Sequence, residues 1–172
     1  LDKVKLILES FGSSILKRLT RLLNLLEDFR VSPEEMLEDT IESNNGHLTD
    51  VTVDITGLQI HEDRQASFYQ KQQMVEAFGN LISNAVEAMD NGESPVLTFS
   101  SAQSGGQTIL KIMDNGCGIP PDTGGKIFEK GFSTKGSDGF GLAHAKQVIE
   151  GHGGSLELVP DNEECTAFEV RL

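Results

Sequence analysis

Basic residues are scarce in this sequence. Its 172 residues hold 14 Lys and Arg against 27 Asp and Glu, a formal net charge of −13. So acidic a chain argues against a nucleic-acid backbone or an anionic membrane as its main partner, and an anionic ligand would need a local exception. Cysteine is rarer still. Cys117 and Cys165 are the only two, too few for a four-ligand zinc site or a disulfide framework, and a reducing, cytoplasmic setting is expected. No apolar run approaches the ~18 residues of a membrane span, and a secretory signal is lacking, so no membrane contact is expected of this fragment. Because the first residue is Leu1 rather than Met, a piece of a longer protein is expected, whose other parts can hold a signal, an anchor or a substrate. What remains, 37% hydrophobic and 24% charged residues, suits a soluble globular domain able to bury its own core.

From Leu1 to Arg30 there is no proline, and apolar residues recur at spacing seven: Leu8, Ile15, Leu22 and Phe29 on one row, Val4, Phe11 and Leu25 on another that only Arg18 breaks. The spacing predicts a helix over 1–31 that seats a partner helix, as in a dimerising hairpin; an amphipathic helix on the chain's own core is the other reading. Ser32-Pro33-Glu34-Glu35 has the form of a helix start, with Glu35 at the capping-box position, and the helix runs to about Ser43. Val51 to Thr56 alternates as a strand does, and one or two strands are expected between 47 and 68. A long helix follows from about Tyr69 to Met89, then two strands, Pro95–Ser100 and Thr108–Met113, around a glycine turn. Thirteen of the 18 glycines fall between Gly105 and Gly154, the texture of a loop system that exposes backbone. Leu142 to Gly151 resumes a helical pattern, and strands over 155–159 and 167–172 close the chain. No internal repeat interrupts this order, which predicts an α+β fold, a two-layer sandwich with a mixed sheet.

Four segments carry chemistry. Asn80, Asn84 and Glu87 stand at i, i+4 and i+7 on the long helix, so they share a face. They form either a solvated stripe or a pair of neutral oxygen ligands suited to Mg²⁺, and Glu87 is left unassigned between the two. After a strand comes Asp114-Asn115-Gly116-Cys117-Gly118-Ile119-Pro120. It is either turn chemistry or an acceptor for an exocyclic amine beside backbone that a flat ring can approach. The spacing is that of neither a Rossmann fingerprint nor a P-loop. Lys126 to Lys135 then gathers three lysines and one glutamate, a solvated basic loop or a phosphate lid. Last, Gly139-Phe140-Gly141-Leu142 opens a helix whose N–H groups can meet a polyphosphate.

Read jointly, NLISNAVEAMD (80–90), DNGCGIP (114–120), IFEKGFSTK (127–135) and GFGLAHAKQVIEGHGGSLEL (139–158) resemble the N, first glycine, F and second glycine boxes of sensor histidine kinases. These boxes belong to the catalytic ATP-binding domain, in the superfamily that also holds gyrase, mismatch-repair and heat-shock chaperone ATPases. The likeness covers about residues 70–172; the first helix is similar, by pattern alone, to the second helix of the kinase dimerisation hairpin. The resemblance implies a Bergerat-type fold over 32–172, preceded by the helix of 1–31, and a protein-histidine kinase that uses ATP and Mg²⁺. It implies that Asn84 holds the metal with Asn80 close to the phosphates, and that Asp114 accepts from the adenine amine. Gly116, Gly118 and Ile119 would line the ring, with Thr166 nearby. Phe128, Thr134 and Lys135 would belong to a mobile lid, and Gly139, Gly141 and Leu142 would offer amides to the phosphates.

Hydrolytic relatives carry Glu at the position of Asn80, where a carboxylate can act as general base on water. A carboxamide cannot, which favours transfer of the phosphoryl group over hydrolysis. The acceptor histidine is not among the four present: His47, His61, His144 and His152 read as surface or packing residues. It is expected upstream, with a response regulator as downstream partner and a homodimer built through residues 1–30. Two departures from the family pattern stand out, Cys165 for a glycine and FEKGF for FEPF. A serine kinase or ATPase of the same superfamily, and a nucleotide-sensing dimer module without turnover, are the alternatives.

Overall fold

The computed structural model describes residues 32–59, 70–90, 94–120, 122–133, 138–159 and 165–172. The helix expected over 1–31, with its dimerisation role and its boundary, lies outside the described residues, as do Thr134 and Lys135.

Helix α1 (Pro33–Ser43) begins as its sequence dictates. The Ser32 hydroxyl accepts from the Glu35 N–H and the Glu35 carboxylate accepts from the Ser32 N–H, each at 3.1 Å. Two orphan donors are thus satisfied reciprocally. Strand β1 (Thr52–Gly57) leads to α2 (Lys71–Met89), then β2 (Val96–Ser104) and β3 (Gln107–Asp114). Those two strands are longer than their sequence suggests: residues 101–104 continue the ladder, and only Gly105 and Gly106, at φ +61° and +82°, make the turn. A two-residue hairpin turn wants positive φ at both positions, which a glycine pair supplies. Helix α3 (Gly141–Gly151) and strands β4 (Ser155–Val159) and β5 (Thr166–Arg171) complete the fold.

The sheet has the order β1-β2-β3-β5-β4, parallel only between β1 and β2. Parallel neighbours need a crossover, and α2 supplies it. The result is the expected α+β fold with a mixed sheet. Two rows of side chains cross the sheet beneath the helices, Phe99, Ile112 and Phe168 in one and Leu110 and Val170 in the other, all fully or almost fully buried. Helix α2 answers with Met74, Ala77, Phe78, Leu81, Ile82, Ala85 and Met89, a stripe at helical spacing. Burying each large side chain contributes roughly 1.5–3 kcal/mol, so the stripe fixes the helix's rotation on the sheet. That rotation turns Asn80, Asn84 and Glu87 away from the core and along one edge of the layer interface.

Candidate functional site

A cavity of about 670 Å³ opens where α2, the loop after β3, the segment 122–133 and the start of α3 converge. Its size is that of an ordinary small-molecule pocket. Helix α2 forms one wall with Asn80, Ser83, Asn84, Glu87 and Ala88. The Asn80 and Asn84 carboxamides have no hydrogen-bond partner among the described residues, so both oxygens are available to a ligand.

The loop after β3 is drawn tightly against this wall. The Cys117 N–H donates to the Ala88 carbonyl at 3.1 Å, and a Cβ on Gly116 would lie 2.6 Å from that same oxygen. Only glycine fits there. The Gly116 N–H in turn donates to Asp114 Oδ1 at 3.0 Å. Asn115 does a different job: its Oδ1 accepts from the Val96 N–H at 2.8 Å and its Nδ2 donates to the Ser94 carbonyl at 3.1 Å. The carboxamide therefore anchors the loop to the start of β2, a role the sequence reading did not assign.

The start of α3 forms an adjoining wall. Phe140 occupies the N-cap position and supplies no side-chain acceptor, and the first helical bond runs from the His144 N–H to the Phe140 carbonyl at 2.8 Å. The N–H groups of the first turn thus lack an intrahelical acceptor and, with the helix dipole, favour an anion. A Cβ on Gly141 would be 3.8 Å from the Asn80 carboxamide oxygen, so the helix start stands beside Asn80. Gly139, at φ +68°, accepts from the Gly131 N–H at 3.0 Å, and a Cβ there would meet the Phe132 carbonyl at 2.5 Å. The two ends of the 131–139 loop are held together by this contact.

Of the residues singled out in the sequence, Asn80, Asn84, Gly118, Ile119, Gly139, Gly141, Leu142 and Thr166 line the one cavity. Asp114 and Gly116 are not in its wall: Asp114 is 2% exposed and pairs with Thr166 across the β3–β5 ladder, and Gly116 packs on α2. Phe128, expected in the lid, instead packs inward. Its ring meets Phe168 edge-on at 6.2 Å, and Lys146 Nζ sits 4.4 Å from its centroid. It anchors the base of the segment rather than facing the cavity. Residues missed by sequence reasoning include Phe132, Asp138 and the exposed Phe140. Their only signal was proximity to the glycine motifs.

The electrostatics of the wall differ from expectation. The charged residues that line the cavity, among those described, are Glu87 and Asp138; no Lys or Arg does. Lys126 and Lys130 belong to the same basic segment but do not line the cavity, and Lys135 lies outside the described residues.

Comparison with known proteins bears on the same region. Residues 69–172, more than half of the chain, match the family described as histidine kinase-, DNA gyrase B-, and HSP90-like ATPase. The chain is 37% identical over 100 residues to sensor histidine kinase DcuS of Escherichia coli K12, covering 58% of this chain and 18% of that protein. It is 33% identical over 98 residues to sensor protein CitS of Bacillus subtilis 168, covering 56% and 18%. Among solved structures, the mycobacterial sensor histidine kinase MprB superposes with a TM-score of 0.68 at 24% identity, over 80% of this chain and 91% of that one. The chain thus spans under a fifth of the length of these two curated relatives.

Proposed function

We propose that this chain, which belongs to the histidine kinase-, DNA gyrase B-, and HSP90-like ATPase family, serves a two-component sensor kinase by passing the γ-phosphoryl group of ATP to a histidine outside residues 1–172. Its ATP-binding domain is of the sensor histidine kinase type. One observation carries the reading: Asn80 and Asn84, whose carboxamides have no partner among the described residues, share a cavity with a helix start that has no side-chain cap, and Asn80, which stands beside that start, is a carboxamide rather than a carboxylate. The phosphates would lie between Asn80 and the amides of Gly141 and Leu142, and the adenine toward Gly118, Ile119 and the Asp114–Thr166 end of the sheet. Without a carboxylate at position 80, no general base is set to activate water there. The γ-phosphoryl group is instead held for an imidazole nitrogen, which forms the new P–N bond as ADP leaves.

The residues present fit a hard divalent cation. Amide oxygens of Asn80 and Asn84 are suitable neutral ligands, and a polyphosphate entering a wall with two acids and no described base needs positive charge from elsewhere. Asn84 would hold Mg²⁺, which when bound neutralises phosphate charge. A response regulator as acceptor of the phosphoryl group, and a homodimer through residues 1–30, belong to the same proposal; the named sensor functions of DcuS and CitS support the first and the heptad rows the second.

The test is to incubate the full-length protein with γ-labelled ATP. Acid-labile, base-stable label on the protein is expected. Acid-stable label would make it a serine kinase, and free phosphate alone would make it a hydrolase.

A further inference from the structure

Glu87 lines the cavity one helical step beyond Asn84 and carries no hydrogen bond or ion pair among the described residues. A carboxylate so placed should be a liability beside a polyphosphate. Free ATP is highly anionic, and like charges a few ångströms apart repel even across a partly solvated site. No lysine or arginine lies in the described wall to offset it. The sign reverses once a divalent cation sits on the phosphates, because the same carboxylate then faces positive charge. It also accepts hydrogen bonds from the waters that Mg²⁺ keeps. Asn84 supplies a neutral oxygen and cannot discriminate in this way. Residues three apart on a helix have Cβ atoms only about 5–6 Å from each other, which puts Glu87 within reach of a cation held by Asn84.

We infer that Glu87 makes the pocket select the cation complex of ATP over free ATP, by attraction to the bound cation and repulsion of the bare triphosphate. Its role is coupling rather than affinity. The inference rests on the reading of the cavity as a nucleotide site. Asp138 also lines the cavity, but it precedes α3 on a loop, whereas Glu87 is fixed by the rigid stripe that seats α2.

Calorimetric titration of the chain and of Glu87→Gln with ATP, ADP and adenosine, each with and without Mg²⁺ at low salt, tests this. The variant should bind Mg·ATP about fivefold more weakly and metal-free ATP about threefold more tightly, with adenosine unchanged, since coupling of this kind commonly spans about 5- to 150-fold. Glu87→Lys should strengthen metal-free ATP further. An unchanged ratio of affinities with and without Mg²⁺ would overturn the inference and leave the nucleotide site standing. An equal loss for adenosine would also overturn it, placing Glu87 on the sugar or base. If the unaltered chain bound neither form of ATP, the nucleotide reading would itself fail, and this inference with it.

Discussion

Asp114 and Thr166 face each other across the β3–β5 ladder, each 2% exposed, at the end of the sheet where the cavity opens. They extend the buried row that begins with Leu110 and Val170, so the hydrophobic core runs without a break into the polar floor of the site. Thr166 reaches the cavity wall, and Asp114 is its cross-strand neighbour, buried beside it. The Gly116 N–H donates to this carboxylate at 3.0 Å, and the proposed function makes it a fixed acceptor toward the adenine.

Asp114→Asn should therefore weaken adenine nucleotides. The change replaces an acceptor oxygen with a donor or turns the amide away, and a buried polar group left without its partner costs about 1–3 kcal/mol. ATP and adenosine affinity, measured by calorimetry, should fall by about tenfold or more together. A loss for ATP alone would move Asp114 away from the base.

Asn84→Ala removes an oxygen facing the cavity without adding charge. ATP binding should lose most of its dependence on Mg²⁺, while adenosine binds as before. Titration of Mg²⁺ at fixed ATP reads this directly, and an undiminished Mg²⁺ dependence would take the metal away from Asn84.

Gly116→Ala places a methyl group against the Ala88 carbonyl, a helix backbone atom that cannot move aside. The loop must lift from α2, at a cost of about 1–3 kcal/mol. Thermal denaturation should show the loss, and nucleotide affinity should fall with it because Gly118 and Ile119 ride on the same loop.

Phe128→Ala distinguishes an anchor from a lid residue. Its ring contacts Phe168 and Lys146 rather than the cavity, so stability should fall by about 1–2 kcal/mol. Adenosine affinity should not change. Unchanged stability with weaker ATP binding would restore Phe128 to the lid.

Much of this was legible in the residues themselves. The capping box at Ser32 and Glu35, the core stripe of α2 and the Asn80–Asn84–Glu87 face follow from local chemistry and helical period, and all three stand in the structure. The hairpin is longer than its sequence predicts because Ser101, Ala102, Gln103 and Ser104 lack the β-branched bulk of a typical strand; their pairing with 107–110 is set by the turn, not by their own propensity. The inward packing of Phe128 is hidden for a related reason. An aromatic residue in a basic, glycine-flanked loop looks the same in sequence whether it faces ligand or core, and only its contact with Phe168, 40 residues away in the chain, decides. The role of Asn115 is hidden too, since its partners Ser94 and Val96, just before and at the start of β2, lie about 20 residues away in the chain.

On the proposed function, one cavity between α2 and the start of α3 holds the cation complex of ATP. The most direct measurement is a two-dimensional amide NMR titration of the chain with ATP and Mg²⁺. The account predicts saturable shifts concentrated at Asn80 to Ala88, Gly116 to Ile119 and Gly139 to Leu142, with β1 and α1 undisturbed. An unchanged spectrum at saturating ATP and Mg²⁺, or shifts confined to other elements, would contradict it.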